Sequence, residues 1–185
     1  MNRQPILEGE QLALRPLEPG DWDALFAVAS DPLIWEQHPM HDRWQEPVFR
    51  AFFDDAMQAG GALLVTQAGS GAVLGSSQFR PTPFDVAAIE IGWTFLARSH
   101  WGGKINRAMK ALMIKHALAP EPHGVPRILF RIGDTNWRSR KAMDKIGGRL
   151  TDMVEEGEYQ GQPARHVIYE ITREGFAAGP LMALS

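Results

Sequence analysis

The sequence predicts a single α/β domain built on a central mixed sheet. Three observations carry this. Strand and helix patterns alternate along the chain. Around Ala87–Leu118 the apolar period switches from two to 3.6. With 185 residues, 44% of them hydrophobic, the chain is long enough to bury one substantial core. The domain is expected to occupy residues 1–185, with its folded core at about 10–172.

In chain order, Gln11–Arg15 alternates Leu12 and Leu14 against Ala13 and Arg15, a strand that Pro16 ends. Asp21 is placed to cap a helix whose buried stripe is Trp22, Leu25, Phe26 and Ala29. Leu33–Glu46 has no regular period and holds two Trp and two His. Pro47–Ala59 returns to helical spacing through Val48, Phe52, Phe53 and Ala56, and Gly60-Gly61 closes it. Ala62–Gln67 and Ala72–Arg80 flank Ala68-Gly69-Ser70-Gly71 and read as a hairpin.

In the next strand Ile89, Ile91, Trp93 and Phe95 are expected on one face. Gly102-Gly103 turns the chain into a helix with its stripe at Ile105, Ala108, Met109, Leu112, Met113 and His116. Arg127–Ile132 is a short strand, and Asn136 opens a helix that ends at Gly147 or Gly148. Two last strands, Arg149–Glu156 and Arg165–Ile171, flank a turn over Glu158–Pro163. Gly175–Ser185 reads as a frayed tail.

Composition narrows the function. A net charge of −3 argues against a general nucleic-acid or membrane-surface binder. The absence of cysteine excludes disulfides, thiolate metal sites and a cysteine nucleophile. No apolar run reaches membrane-spanning length and MNRQPILEGEQ is no signal peptide, so a cytoplasmic location is expected.

One stretch is locally basic. Arg98, Lys104, Arg107, Lys110 and Lys115 occur in a run from Ile91 to Pro120 that has no Asp or Glu. A helix N-terminus carries about +0.5 of an elementary charge and ordinarily attracts acids, whereas this one begins with cations. A bound anion at the Gly-Gly turn would relieve the conflict; a merely solvated basic face is the alternative. A Walker loop is excluded by Arg98 and Ile105, and a Rossmann fingerprint by Leu74 at the third glycine position.

The segment IGWTFLARSHWGGKINRAMKALM resembles the strand, Trp-Gly-rich turn and helix of the GNAT superfamily of N-acetyltransferases, and more closely the branch of ribosomal-protein N-terminal acetyltransferases. DTNWRSRKAMDKIGGRL resembles the same branch's Asn-x-x-Ser helix ending in Lys-x-Gly. The likeness runs from about Leu12 to Glu170. It implies a mostly antiparallel twisted sheet flanked by helices and splayed at the cofactor site. It also implies acetyl-CoA as cosubstrate, with no metal, and an amine acceptor: a protein N-terminus or a small molecule. Neither nucleic acid nor membrane is an expected partner; a homodimer is a possible assembly.

The resemblance places cofactor contacts at Leu96, Arg98, Trp101, Gly102, Gly103, Lys104, Ile105, Asn106, Arg107, Asn136 and Ser139. The superfamily loop runs Gln/Arg-x-x-Gly-x-Gly/Ala; here Trp101, Lys104 and Asn106 hold those places, and Gly103 is positioned to take over the turn. Direct transfer needs a proton acceptor, because an α-amino group titrates near ~8 and a lysine near ~10.4. Glu90 between Ile89 and Ile91 is the candidate base; the alternative is a strand carboxylate paired with an arginine. Asn136 suits a pantetheine contact and equally a simple N-cap. Many relatives keep a Tyr acid seven residues later, where Met143 stands, so Ser139 or solvent is left to protonate the thiolate.

Trp35, His38 and His41 are candidate acceptor contacts; core packing is the other reading of Trp35 and of Trp44, and a surface loop that of the histidines. His38 and His41 with Asp42 have no well-placed third ligand, so no metal is expected. The loop departures and the missing Tyr motivate a second function, a non-catalytic CoA-binding regulatory module.

Overall fold

A computed structural model describes residues 1–182. Among the described residues eight strands form one sheet: β1 (Leu7–Glu8), β2 (Leu12–Pro16), β3 (Ala62–Gln67), β4 (Val73–Pro81), β5 (Ile89–Leu96), β6 (Arg127–Gly133), β7 (Arg149–Tyr159) and β8 (Gln162–Thr172). Five α-helices of the described residues flank it: α1 (Trp22–Ala29), α2 (Glu46–Ala59), α3 (Ile105–Ala117), α4 (Trp137–Ile146) and α5 (Arg173–Ala177). The strand order is β1-β2-β3-β4-β5-β6-β8-β7. Every pair is antiparallel except β5–β6.

Two apolar layers hold the sheet. On one face Ile89, Ile91, Ile128 and Phe130 pack against Met109, Met113 and Ile114 of α3, with Met143 and Ile146 of α4 and Phe176 of α5. On the other, Leu25 and Ala29 of α1 and Phe49, Phe52 and Phe53 of α2 enclose Trp35 and Phe95.

The parallel pair is short. β5 meets β6 only at Ile89↔Ile128 and Glu90↔Leu129, and beyond Glu90 the two strands are not paired. The sheet therefore opens toward the carboxyl ends of two parallel strands, the place where open α/β sheets bind ligands.

A bulge in β5 corrects the expected alternation. Gln78 faces Gly92 and Ser76 faces Phe95, so two residues, Trp93 and Thr94, oppose Ser77. Trp93 adopts φ 52° to accommodate the extra residue. Past it the faces exchange: Ile89, Ile91 and Leu96 belong to the α3 layer, Phe95 to the α1–α2 layer. The α3 stripe is also wider than its spacing suggests, since Lys110, Ala111, Ile114 and Ala117 are buried too.

Other corrections are local. Asp21 precedes α1 but does not cap it; its carboxylate pairs with Arg15 at 2.6 Å and accepts from the Glu18 N–H. The β7–β8 hairpin turns on Gln160-Gly161 alone, both at positive φ as a tight two-residue turn requires. The tail is ordered further than its composition suggests: α5 buries Phe176, and Leu181 is buried as well. Residues 183–185 of that tail lie outside the described residues.

Candidate functional site

The chain leaves β5 into the loop before α3, so the α3 N-terminus stands at the open end of the sheet. Gly102 takes φ 70°, and a Cβ there would meet nothing within 4 Å. Gly103, at ordinary φ, has its nearest neighbour, the His100 carbonyl, 3.7 Å from where a Cβ would lie. Lys104 holds the N-cap position of α3 without a side-chain cap, and no acidic residue enters the first turn. The orphan N–H groups of Ile105, Asn106 and Arg107 thus face an anion-favouring dipole. Arg107 adds a buried Nε that has no hydrogen-bond partner. An uncapped helix start, a roomy loop and an orphan guanidinium donor together fit a phosphate group.

The remaining loop residues divide. Leu96 is buried, and its carbonyl accepts from Trp101 Nε1 at 2.9 Å. Arg138 of α4 stacks its guanidinium 4.1 Å over the Trp101 ring, tying the loop to α4. Arg98 turns away toward Asp31, with which it forms an exposed ion pair. Lys110, part of the basic run, does not approach the turn. Its Nζ donates to Thr94 Oγ1 at 2.8 Å and Ser77 Oγ at 3.3 Å beneath the bulge. Burial alone pushes its pKa down to about 7. Asn136 is buried, and its Oδ1 accepts from the Ser139 N–H at 3.1 Å, an N-cap for α4. Ser139 is half-buried one turn into that helix.

On the opposite face of the opening lies Glu90, 2% exposed. A Cβ at Gly92 would stand 3.4 Å from Glu90 Oε1, so the glycine leaves room beside the carboxylate. Arg131 of β6 donates to Glu90 at 3.2 Å and to both oxygens of Glu155 at 2.8 Å. Desolvation raises the Glu90 pKa; Arg131 opposes the rise without cancelling it. Glu90 is thus a desolvated carboxylate that also pairs with an arginine. His166 of β8 lies 3.5 Å from Glu155, its pKa held down mainly by burial. The Trp93 ring sits between Arg80 at 4.2 Å and Arg131 at 5.5 Å.

The Leu33–Trp44 segment lies on this same face. Trp35 is 2% exposed within the α1–α2 layer, donating to the Ala29 carbonyl at 2.7 Å, so it packs in the core. His38 packs edge-on against it and accepts from the Met40 N–H at 3.0 Å; burial and the cations Arg43, His166 and Arg138 hold its pKa far below the usual imidazole range. His41 and Trp44 are exposed. Pro39 presses on Gly133, where a Cβ would stand 2.8 Å from Pro39 Cγ, and Asp42 accepts from Tyr159 at 2.5 Å. The segment therefore reaches from the α1–α2 layer to β6 and the β7–β8 hairpin. Among the described residues, no group of three His, Cys, Asp or Glu side chains is arranged to hold a metal ion. No described helix is long and apolar enough to cross a membrane.

Sequence reasoning did not single out Arg43, Gln78, Arg131, Glu155 or His166. A signal existed for Arg131, which follows the apolar Ile128–Phe130 run on the strand beside Glu90.

Known proteins supply the family. No curated protein matches the chain. Among solved structures, a probable GNAT-family acetyltransferase from Chromobacterium violaceum is similar at a TM-score of 0.80 and 21% identity, over 94% of this chain and 88% of that one. Mycobacterium smegmatis RimJ in complex with CoA-disulfide gives 0.72 at 18% identity, over 97% and 91%. Spermidine N-acetyltransferase from Vibrio cholerae, in complex with CoA and spermine, gives 0.68 at 14%, over 91% and 99%. These likenesses concern the fold. The family model for the acetyltransferase (GNAT) domain matches residues 11–149, three quarters of the chain, and with the splayed mixed sheet it places this protein in the GNAT acetyltransferase family.

Proposed function

We propose that the chain, acting as one N-acetyltransferase domain, moves an acetyl group from acetyl-CoA directly to a primary amine. The observation that carries this is the opening between β5 and β6, which has an anion-favouring helix start at one side and a buried carboxylate at the other. Family membership and the CoA complexes of the M. smegmatis and V. cholerae proteins support the choice of acyl donor.

In this reading the pyrophosphate sits on the N–H groups of residues 102–107 with Arg107 Nε, and Lys104 adds positive field. Leu96 and Asn136 line the pantetheine path, with Ser139 one turn further on. Arg98 takes part only after releasing Asp31. Main-chain N–H groups of β5 beyond Glu90, freed from pairing with β6, polarise the thioester carbonyl. Glu90, directly or through a water, accepts the ammonium proton, which its raised pKa suits. The amine nitrogen then forms its bond to the acetyl carbon as the C–S bond breaks, and Ser139 or solvent protonates the departing thiolate. His38, His41 and their segment border the acceptor groove, with Trp35 supporting it from the core.

Calorimetry with CoA and release of free thiol across a panel of amines test the proposal. Binding together with amine-dependent release is the expected result. Binding without release from any amine would favour a regulatory CoA-binding module, and no binding at all would refute the site.

A further inference from the structure

The acceptor side of the opening contains a buried cation that has no ion pair among the described residues. Arg43 is 5% exposed, in the segment that covers Glu90's face. Its guanidinium lies 4.5 Å over the Phe52 ring and 5.1 Å over the Trp35 ring. Nη2 donates to Met40 Sδ, a weak acceptor, and Nε has no partner at all. Among the described residues no carboxylate forms an ion pair with it, whereas two neighbours on this face have one: Arg80 holds Asp55 at 2.6 Å, and Arg131 holds Glu90 and Glu155. A buried, unpaired guanidinium is costly, and stacking on aromatic rings offsets only part of that cost.

A second orphan donor belongs to the same neighbourhood. Gln78 of β4 is fully buried; its Oε1 accepts from Arg80 Nε at 2.8 Å, and its Nε2 has no partner. Gln78 stands opposite Gly92, and Arg80 opposite Glu90, in the β4–β5 register, so both project from Glu90's face. Arg80 links the two orphans, since its charge, like those of Asp42 and Asp55, acts on Arg43. Arg43 is therefore a cation outside the ion pairs of this face, beside a second buried N–H donor that also lacks an acceptor.

We propose that the acceptor groove contains a carboxylate subsite formed by Arg43 and Gln78, so that the substrate class is small amines that also carry a carboxylate. A guanidinium without an ion pair and two separate donors suit a planar carboxylate with two acceptor oxygens. The amine end faces Glu90 and the acid end faces Arg43. A polyamine would bring a second cation against Arg43 and Arg80 and is disfavoured. The proposal rests on the acetyl-transfer reading and adds the acceptor's second group.

The test compares ω-amino acids of increasing chain length with their carboxamides, using acetyl-CoA as donor. For the best chain length, wild type should favour the carboxylate by on the order of 10- to 100-fold in kcat/KM, the range of a charge-assisted hydrogen bond. That ratio should collapse toward one in Arg43→Met, fall partway in Gln78→Met and recover partly in Arg43→Lys. The Gln78 variant keeps the test decisive if Arg43→Met does not fold. Equal rates for carboxylate and carboxamide in wild type would overturn the subsite while leaving acetyl transfer intact. Conversely, calorimetric binding of the amino acid that Gln78→Met weakens, without turnover of any amine, would keep the subsite and remove the transfer reading.

Discussion

Replacing Lys110 by Met should stabilise the protein, and by an amount that depends on pH. Lys110 is 6% exposed and its Nζ has only the two hydroxyls of Thr94 and Ser77, with the Phe130 ring 5.7 Å away. Desolvation lowers its pKa from 10.5 to about 7. The unfolded chain therefore binds more protons than the folded one between these values, and stability rises with pH across that window. By linkage the buried cation costs about 4 kcal/mol at pH 7 and about 2 kcal/mol at pH 9. Methionine has a similar volume, and the Ser77 and Thr94 hydroxyls keep each other at 2.7 Å. Against the gain stand two lost hydrogen bonds of about 1 kcal/mol each. The variant should therefore be more stable by about 2 kcal/mol at pH 7 and close to wild type at pH 9. Urea unfolding at both pH values reads this directly. A difference that does not change with pH, or a variant less stable than wild type at pH 7, would refute the placement of an unpaired ammonium beneath the bulge.

Three further outcomes follow from the same geometry. Glu90→Gln should keep CoA affinity and lower kcat by ~10²–10⁴, with the loss shrinking as pH rises and free amine accumulates; an unchanged kcat removes Glu90 as the base. Arg107→Glu should weaken CoA binding in calorimetry more at low salt than at high salt, and an equal loss at both would point to misfolding instead. Gly75→Ala would set a Cβ 2.0 Å from the Phe95 carbonyl at φ 151°, so thermal unfolding should register a loss of about 1–3 kcal/mol or more; an unchanged Tm would contradict the tight β4–β5 approach at the bulge.

Much of the fold was legible because its elements are locally determined. Strand alternation in Leu12–Arg15, the Gly-rich turn before Val73 and the stripe of α1 each depend on residues a few positions apart. The bulge was not, because alternation assumes one residue per register position, and nothing in IGWTF marks the extra one. Trp93 takes φ 52° opposite β4, and the two arginines at its ring, Arg80 and Arg131, come from other strands. Charge pattern misled at Lys110, read with the basic run although Met109, Ala111, Met113 and Ile114 surround it with apolar neighbours. Arg43 gave no local signal: its aromatic bed is Trp35 and Phe52, and the missing carboxylate is visible only once the fold is assembled. The tail looked frayed for want of periodicity, yet Phe176 and Leu181 fill the α3 layer.

The central claim is direct transfer across the β5–β6 opening, and initial-rate kinetics with acetyl-CoA and an accepted amine as varied substrates test it most directly. Intersecting double-reciprocal lines, with no acetyl group on enzyme incubated without acceptor, are the predicted result. Parallel lines, or an acetylated enzyme trapped in the absence of amine, would contradict it.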